Sequence, residues 1–382
     1  MTPGTLVDGK YRVDRTLGEG GMATVFAATH VHLDQRVAIK VLKLNLMEHP
    51  HIVERFMREA RAAVRIKNPY VVRVLDVGTL PTQQPYIALE FLDGTDLAEL
   101  MKQRGKLPVP EAVDYMLQLC DALAEAHVLG IVHRDVKPAN CVQVEGADGL
   151  PKIKVLDFGI AKLTLDDGGP RLTATQTMMG TPAYMSPEQL RGAKDVDHRG
   201  DIWSVGIMLF ELTTGNVPFY GNTFAKLLMA ISREPTPQLP MLPPGLAAAI
   251  DKCLAKDREQ RYQSIAELAR DLEPFAGSRD AANVIVQRCM RQGRIATPPA
   301  GLPVQAPRMT PTPQPVVEVS ASYQTPAMPP SGMSMPPAAP SPVVSTAQAA
   351  APPPGASSRR LLVIIVIGVL AGSLAGLILL LS

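Results

Sequence analysis

His133-Arg134-Asp135-Val136-Lys137-Pro138-Ala139-Asn140 and, beyond what reads as a lengthened surface hairpin, Asp157-Phe158-Gly159 place two carboxylates, an ammonium and a carboxamide in a short length of chain. A carboxylate within hydrogen-bond reach of a reacting hydroxyl can take its proton. Carboxylate and carboxamide oxygens are the hard donors that Mg²⁺ prefers, and Lys137 offers a cation beside them. Few arrangements bring a proton acceptor, a phosphate-side cation and two metal ligands so close together.

Upstream, Leu17-Gly18-Glu19-Gly20-Gly21-Met22-Ala23-Thr24-Val25 lies between two β-like runs, Tyr11 to Leu17 and Thr24 to Ala28. That context predicts a hairpin rather than the glycine turn that opens a helix in dinucleotide-binding folds. Without a Cβ, glycine lets backbone approach phosphate oxygens closely. Val37-Ala38-Ile39-Lys40 alternates like a strand and ends on a lysine. Beyond it, Phe56-Met57-Arg58-Glu59-Ala60-Arg61-Ala62-Ala63 has strong helix propensity and carries Glu59.

These strings in this order resemble the eukaryotic-type (Hanks-type) Ser/Thr protein kinases that also occur in bacteria, over residues 11–275. The resemblance implies an α+β, bilobal fold with a β-rich N-lobe and a helical C-lobe. It also implies ATP as phosphoryl donor, Mg²⁺ as its partner ion and protein Ser/Thr hydroxyls as acceptors. Asp135 would accept the substrate proton, Lys137 would lie near the γ-phosphate, and Asn140 and Asp157 would ligate the metal. Lys40 would contact the α- and β-phosphates with Glu59 as its partner, under a flap formed by Gly18, Gly20 and Gly21. Leu17, Val25, Ala38 and Val142 would sandwich the adenine, Leu89 would control the back pocket, and the hinge from Glu90 through Phe91 to Leu92 would meet the adenine edge. The chain departs from the family pattern at Ala23, where the third glycine of the loop is expected, and at Ser186, which replaces the alanine of the A-P-E string.

Further resemblance pairs Glu188 with Arg261 and makes Asp201 a brace for the catalytic loop. Lys137 together with Thr181 matches the Ser/Thr-specific pattern. Between Gly159 and Gly180 lie Thr164, Thr173, Thr175 and Thr177, with Gly168-Gly169-Pro170 among them, a composition suited to a surface loop. Arg134 is placed to bind a phosphate on that loop, and Thr175 and Thr177 are the expected autophosphorylation sites.

The composition is uneven along the chain. Residues 276–296 read as a short extension, with a helix expected from Asp280 to Gly293 and no evident chemistry. Residues 297–358 are read as a disordered linker, because 17 prolines fall between 297 and 357 and Arg308 and Glu318 are the only charges there. Residues 361–381 are 21 residues without charge or proline, and at 1.5 Å per residue a helix there spans about 32 Å, enough to cross a bilayer. Arg359-Arg360 beside it predict a single-pass membrane protein with its kinase domain cytoplasmic. Gly368, Gly372 and Gly376 would share one helix face and could support a homodimer in lipid. A net charge of +2 argues neither for nucleic acid nor for an acidic partner, and no nucleic-acid partner is expected. The four cysteines show no C-x-x-C spacing and are expected to stay reduced.

Two other readings compete. A scaffold that binds nucleotide without transferring phosphate would be attractive if Lys40, Asp135, Asn140 or Asp157 were missing, and none is. An interaction protein built around the Pro-rich segment would need docking motifs more distinctive than this tract provides.

Overall fold

Alternation of apolar residues at Val37, Ile39 and Val41 against Ala38, Lys40 and Leu42 sends the two sets to opposite faces of a strand, and the fold is organised around that division. The computed structural model describes residues 1–146, 148–158, 182–192 and 196–296. Strands β1 (Leu6–Val7), β2 (Tyr11–Glu19), β3 (Ala23–His30), β4 (Gln35–Leu42), β5 (Val74–Thr79) and β6 (Pro85–Glu90) form one antiparallel sheet in the order β1-β2-β3-β4-β6-β5. On one face, Val37, Ile39 and Val41 pack with Val7, Tyr11, Val13, Phe26 and Tyr86. On the other, Ala23, Leu42 and Ile87 meet Phe56 and Ala60 of helix α1 (Pro50–Arg65). Phe56 and Ala60 are four residues apart, one helical turn, so a single stripe of α1 covers the sheet.

The helical lobe follows. It contains α2 (Leu97–Arg104), α3 (Val109–Val128), α4 (Pro187–Leu190), α5 (Arg199–Thr214), α6 (Phe224–Arg233), α7 (Pro244–Cys253), α8 (Ile265–Leu272) and α9 (Arg279–Ala296). Helices α3 and α5 are buried around most of their circumference, which makes them the axis of the lobe. Gly206 on α5 is required by proximity: a Cβ there would stand 2.5 Å from the Cβ of Cys253 on α7. Side chains of Asp96, Thr223 and Ser264 cap α2, α6 and α8, and Ser186 forms a full capping box with Gln189 at α4. That box gives a physical role to the serine that departs from the family string.

A small second sheet, β7 (Gly94–Asp96), β8 (Cys141–Glu145) and β9 (Pro151–Val155), lies between catalytic-loop residues and Asp157. The expected surface hairpin joins β8 to β9, with Gly146 N–H donating to the Leu150 carbonyl. All four cysteines are buried and free. The extension helix is longer than expected, running from Arg279 to Ala296 rather than from Asp280 to Gly293.

Residues 159–181, with Thr164, Thr173, Thr175, Thr177 and Thr181, lie outside the described residues, as do the Pro-rich tract and 361–381. Among the described residues no helix is long and apolar enough to cross a membrane.

Candidate active site

Sheet register sets the upper half of the site. Val25 on β3 lies opposite Gly18 on β2 and opposite Lys40 on β4, and Lys40 in turn lies opposite Ile87 on β6. Directly paired residues share a face, so the glycine flap, Val25 and Lys40 form one row. The neighbouring row, Ala27, Ala38 and Leu89, is on the same face. The flap is held by a Gly20 N–H bond to the Ala23 carbonyl, while Gly18 and Gly21 have open space where a Cβ would project. Leu17 is 40% exposed at the rim.

From that row the Lys40 ammonium reaches Glu59 Oε1 at 3.1 Å and Asp157 Oδ1 at 2.6 Å. Burial opposes the charge on Lys40, but Asp157 and Glu59 outweigh it and hold the amine above its ordinary value. Glu59 moves the other way for a carboxylate: burial raises it to about 7, with Lys40 opposing the rise and Asp157 adding to it. One ammonium is therefore shared by two carboxylates, and Glu59, on α1, and Asp157, below the cleft, are both tied to β4.

The lower half is built on Asp201 at the start of α5. This side chain is fully buried, accepts the backbone N–H of His133 at 2.9 Å and of Arg134 at 2.8 Å, and takes the His127 ring N–H at 2.8 Å. Burial raises its carboxyl, yet the His127 hydrogen bond and the neighbouring donors prevail and hold it below the usual value. The support matters because Arg134 has φ 64° and Asp157 φ 45°, a left-handed backbone that non-glycine residues rarely adopt without being held. Burial lowers the pKa of His133, against the opposing pull of Asp201 and Asp135. Its Nε2–H donates to the Leu156 carbonyl and its Nδ1 accepts the Asp135 N–H, and its ring packs on Phe158 at 4.7 Å.

Around Asp135, Lys137 Nζ donates to Oδ2 at 2.8 Å, and Asn140 Nδ2 donates to the Asp135 carbonyl at 2.8 Å and to Oδ2 at 3.2 Å. With the amide nitrogen so engaged, Oδ1 of Asn140 is the ligand atom it can offer a cation. A hard oxygen from Asn140 and a carboxylate oxygen from Asp157 fit Mg²⁺, which usually takes one or two protein ligands plus phosphate and water oxygens. No cluster of three or more His, Cys, Asp or Glu side chains suited to a metal occurs among the described residues.

The hinge end of β6 carries a network the sequence did not reveal. Glu90 accepts Lys154 Nζ at 2.7 Å, the Arg73 N–H at 2.9 Å and Arg73 Nε at 3.3 Å. Burial would raise this carboxyl, but the bonds from Lys154 and Arg73 lower it below its usual value. The positive charge of Arg58 on α1 acts both on Arg55, one turn earlier in the same helix, and on Arg134 of the catalytic loop. Nε of Arg55 and Nε and Nη1 of Arg134 are buried with no hydrogen-bond partner among the described residues. Arg134 was expected from its place beside Asp135, whereas the only sequence signal of Arg55 was its helical spacing from Glu59. Glu188 and Arg261 meet in a two-armed ion pair at 2.7 and 2.9 Å, and Gln189 donates to the Arg134 carbonyl.

A family model described as "Protein kinase domain" matches residues 11–271. A "Probable serine/threonine-protein kinase" of Corynebacterium efficiens is 38% identical over 331 residues, 84% of this chain and 47% of its own length. "Serine/threonine-protein kinase Pkn1" of Myxococcus xanthus is 38% identical over 300 residues, 78% of this chain and 41% of its own. The chain thus spans less than half the length of these relatives. The crystal structure of the Mycobacterium tuberculosis PknI kinase domain superimposes with a TM-score of 0.54 at 28% identity, covering 72% of this chain and 100% of that one.

Proposed function

The chain belongs to the protein kinase family, and from that premise we propose that it transfers the γ-phosphoryl group of MgATP to serine and threonine hydroxyls of proteins. The observation that carries the reading is Lys40 bridging Glu59 and Asp157, with Lys137 and Asn140 both hydrogen-bonded to Asp135.

Lys40, fixed by Glu59, orients the α- and β-phosphates. Asn140 and Asp157 would hold Mg²⁺, which would supply neutralisation of the phosphate charge. Asp135 accepts the hydrogen bond of the attacking hydroxyl and finally its proton. The hydroxyl oxygen bonds to the γ-phosphorus as the bond to the β–γ bridging oxygen breaks, and ADP leaves. Lys137, paired with Asp135, stabilises the charge of the transferred group.

Regulation and location belong to the same proposal. The unpartnered guanidinium N–H groups of Arg134 and Arg55 support a phosphothreonine at Thr175 or Thr177 as an activating ligand. The uncharged run 361–381 supports a single-pass membrane tether with a cytoplasmic kinase domain, and its glycine face supports a homodimer that phosphorylates in trans. A Gly372→Ile chain that self-associates and autophosphorylates like the parent at equal membrane density would reduce that face to an anchor.

The catalytic reading is tested with the full chain, labelled ATP, Mg²⁺ and a Ser/Thr peptide. Transfer is expected from the parent and a loss of at least about a hundredfold from Asp135→Asn and Lys40→Met. Undiminished transfer by either variant overturns the assignment.

A further inference from the structure

Helix α9 lies beyond the matched kinase segment, and its sequence suggested no chemistry. It is nevertheless built into the lobe. Ala282, Ile285, Val286 and Cys289 are buried in the main core. Its approach is fixed by Asp114 of α3, which accepts the Gly277 N–H at 3.0 Å. A Cβ at Gly277 would stand 2.7 Å from Asp114 Oδ2, so a larger residue there would displace that carboxylate.

One polar contact of α9 stands apart. Arg288 Nη2 lies 2.7 Å from Oδ2 of Asp121 on α3, a side chain with no solvent exposure. The guanidinium is the compensating charge for this buried carboxylate, to which the Asn68 side chain also donates. Burial raises Asp121 to about 6 even with Arg288 opposing the rise.

What surrounds Asp121 gives the contact its meaning. Asn68 donates its side-chain amide to the Asp121 carbonyl at 3.1 Å and accepts the Tyr70 N–H at 2.9 Å. The Tyr70 carbonyl accepts the Val155 N–H at 2.7 Å, and the Val72 N–H returns to the Val155 carbonyl at 3.0 Å. Val155 ends β9, two residues before Asp157. At its other end the same loop caps α1, with the Ile66 N–H on the Ala63 carbonyl. Residues 66–72 are therefore the joint between the helix that carries Glu59 and the strand that delivers Asp157, and Arg288 stacks over its Tyr70 ring at 6.0 Å.

We infer that Arg288 is a positioning residue: by neutralising Asp121 beneath the 66–72 joint, the docked α9 helix keeps Glu59 and Asp157 in register on Lys40. The catalytic consequence rests on the phosphoryl-transfer reading, whereas the ordering of the joint does not. Truncating Arg288 leaves an uncompensated buried charge, which the lobe relieves by opening the loop to water.

The test uses the full chain and reads amide hydrogen exchange together with peptide phosphorylation. Arg288→Met should raise exchange across 66–72 and α1 by about tenfold or more and lower kcat severalfold. Asp121→Asn added to it should restore both, since no charge then needs a partner, and Arg288→Lys should retain most of the parent behaviour. Glu59→Gln should cost less in the Arg288→Met chain than in the parent, because both changes act on one arrangement. Exchange that rises in α9 alone, or strictly additive losses with Glu59→Gln, overturns the inference. A parent chain that transfers no phosphate would instead sink the catalytic reading and leave the exchange result to decide this one.

Discussion

Asp201 Oδ1 accepts the backbone N–H of Arg134 at 2.8 Å, and this bond holds the left-handed backbone of the residue that precedes Asp135. Asn at 201 would present one acceptor and one donor where the fold supplies only donors, from His127, His133 and Arg134.

Asp201→Asn is therefore expected to destabilise the protein by about 2 kcal/mol and to reduce turnover well beyond its effect on ATP affinity. The pH dependence has a definite sign. A carboxyl held below its usual value contributes stability above that value, and the contribution is lost as pH falls through the lower, folded value. Urea unfolding of parent and variant should show a gap that is full at neutral pH and narrows on acidification below about pH 4. A gap constant with pH would show that Asp201 acts by shape and not by charge.

The hinge offers a second prediction. Lys154 Nζ donates to Glu90 at 2.7 Å, and Glu90 also holds Arg73. Lys154→Met should leave Glu90 with Arg73 alone and loosen the strand end whose backbone is proposed to meet adenine. We expect the ATP KM to rise about three- to fivefold with kcat within about twofold, the effect of losing one charge-assisted bond near a binding edge. A fall in kcat at constant KM would place Lys154 in another role.

How much of this was legible in the sequence depended on distance along the chain. Period-two alternation at Val37 to Leu42 placed Lys40 on the inner face, and the contiguous string from His133 to Asn140 closed on itself as local hydrogen bonds. Contacts between elements far apart in sequence were legible only where the family resemblance supplied them, as for Glu188 with Arg261. Arg288 with Asp121, and Glu90 with Lys154, carried no such signal, because a single charge on a helix or strand reads as solvent-facing until a partner is seen. Ser186 looked like a blemish in a motif and proved to be a helix cap, a role that only the fold of α4 reveals.

The last prediction concerns the guanidinium groups beside the catalytic loop. Nε of Arg55 and Nε and Nη1 of Arg134 are buried without acceptors among the described residues, and burial together with Arg58 lowers the pKa of both. Buried donors left unpaired are costly, so an anion that reached them would gain both hydrogen bonds and charge neutralisation. A phosphothreonine brings roughly two negative charges and three strong acceptors. Because Arg55 belongs to α1 and Arg134 to the catalytic loop, such a group would tie the helix of Glu59 to Asp135. Thr175→Ala with Thr177→Ala should lower peptide turnover about tenfold while changing the ATP KM by less than about twofold, and Arg55→Met should do the same. The three substitutions together should be no worse than either set, since they remove two halves of one contact. Phosphopeptide mapping across 164–181 with steady-state kinetics checks this, and an active enzyme with no phosphate in that span, or fully additive losses, would exclude the switch.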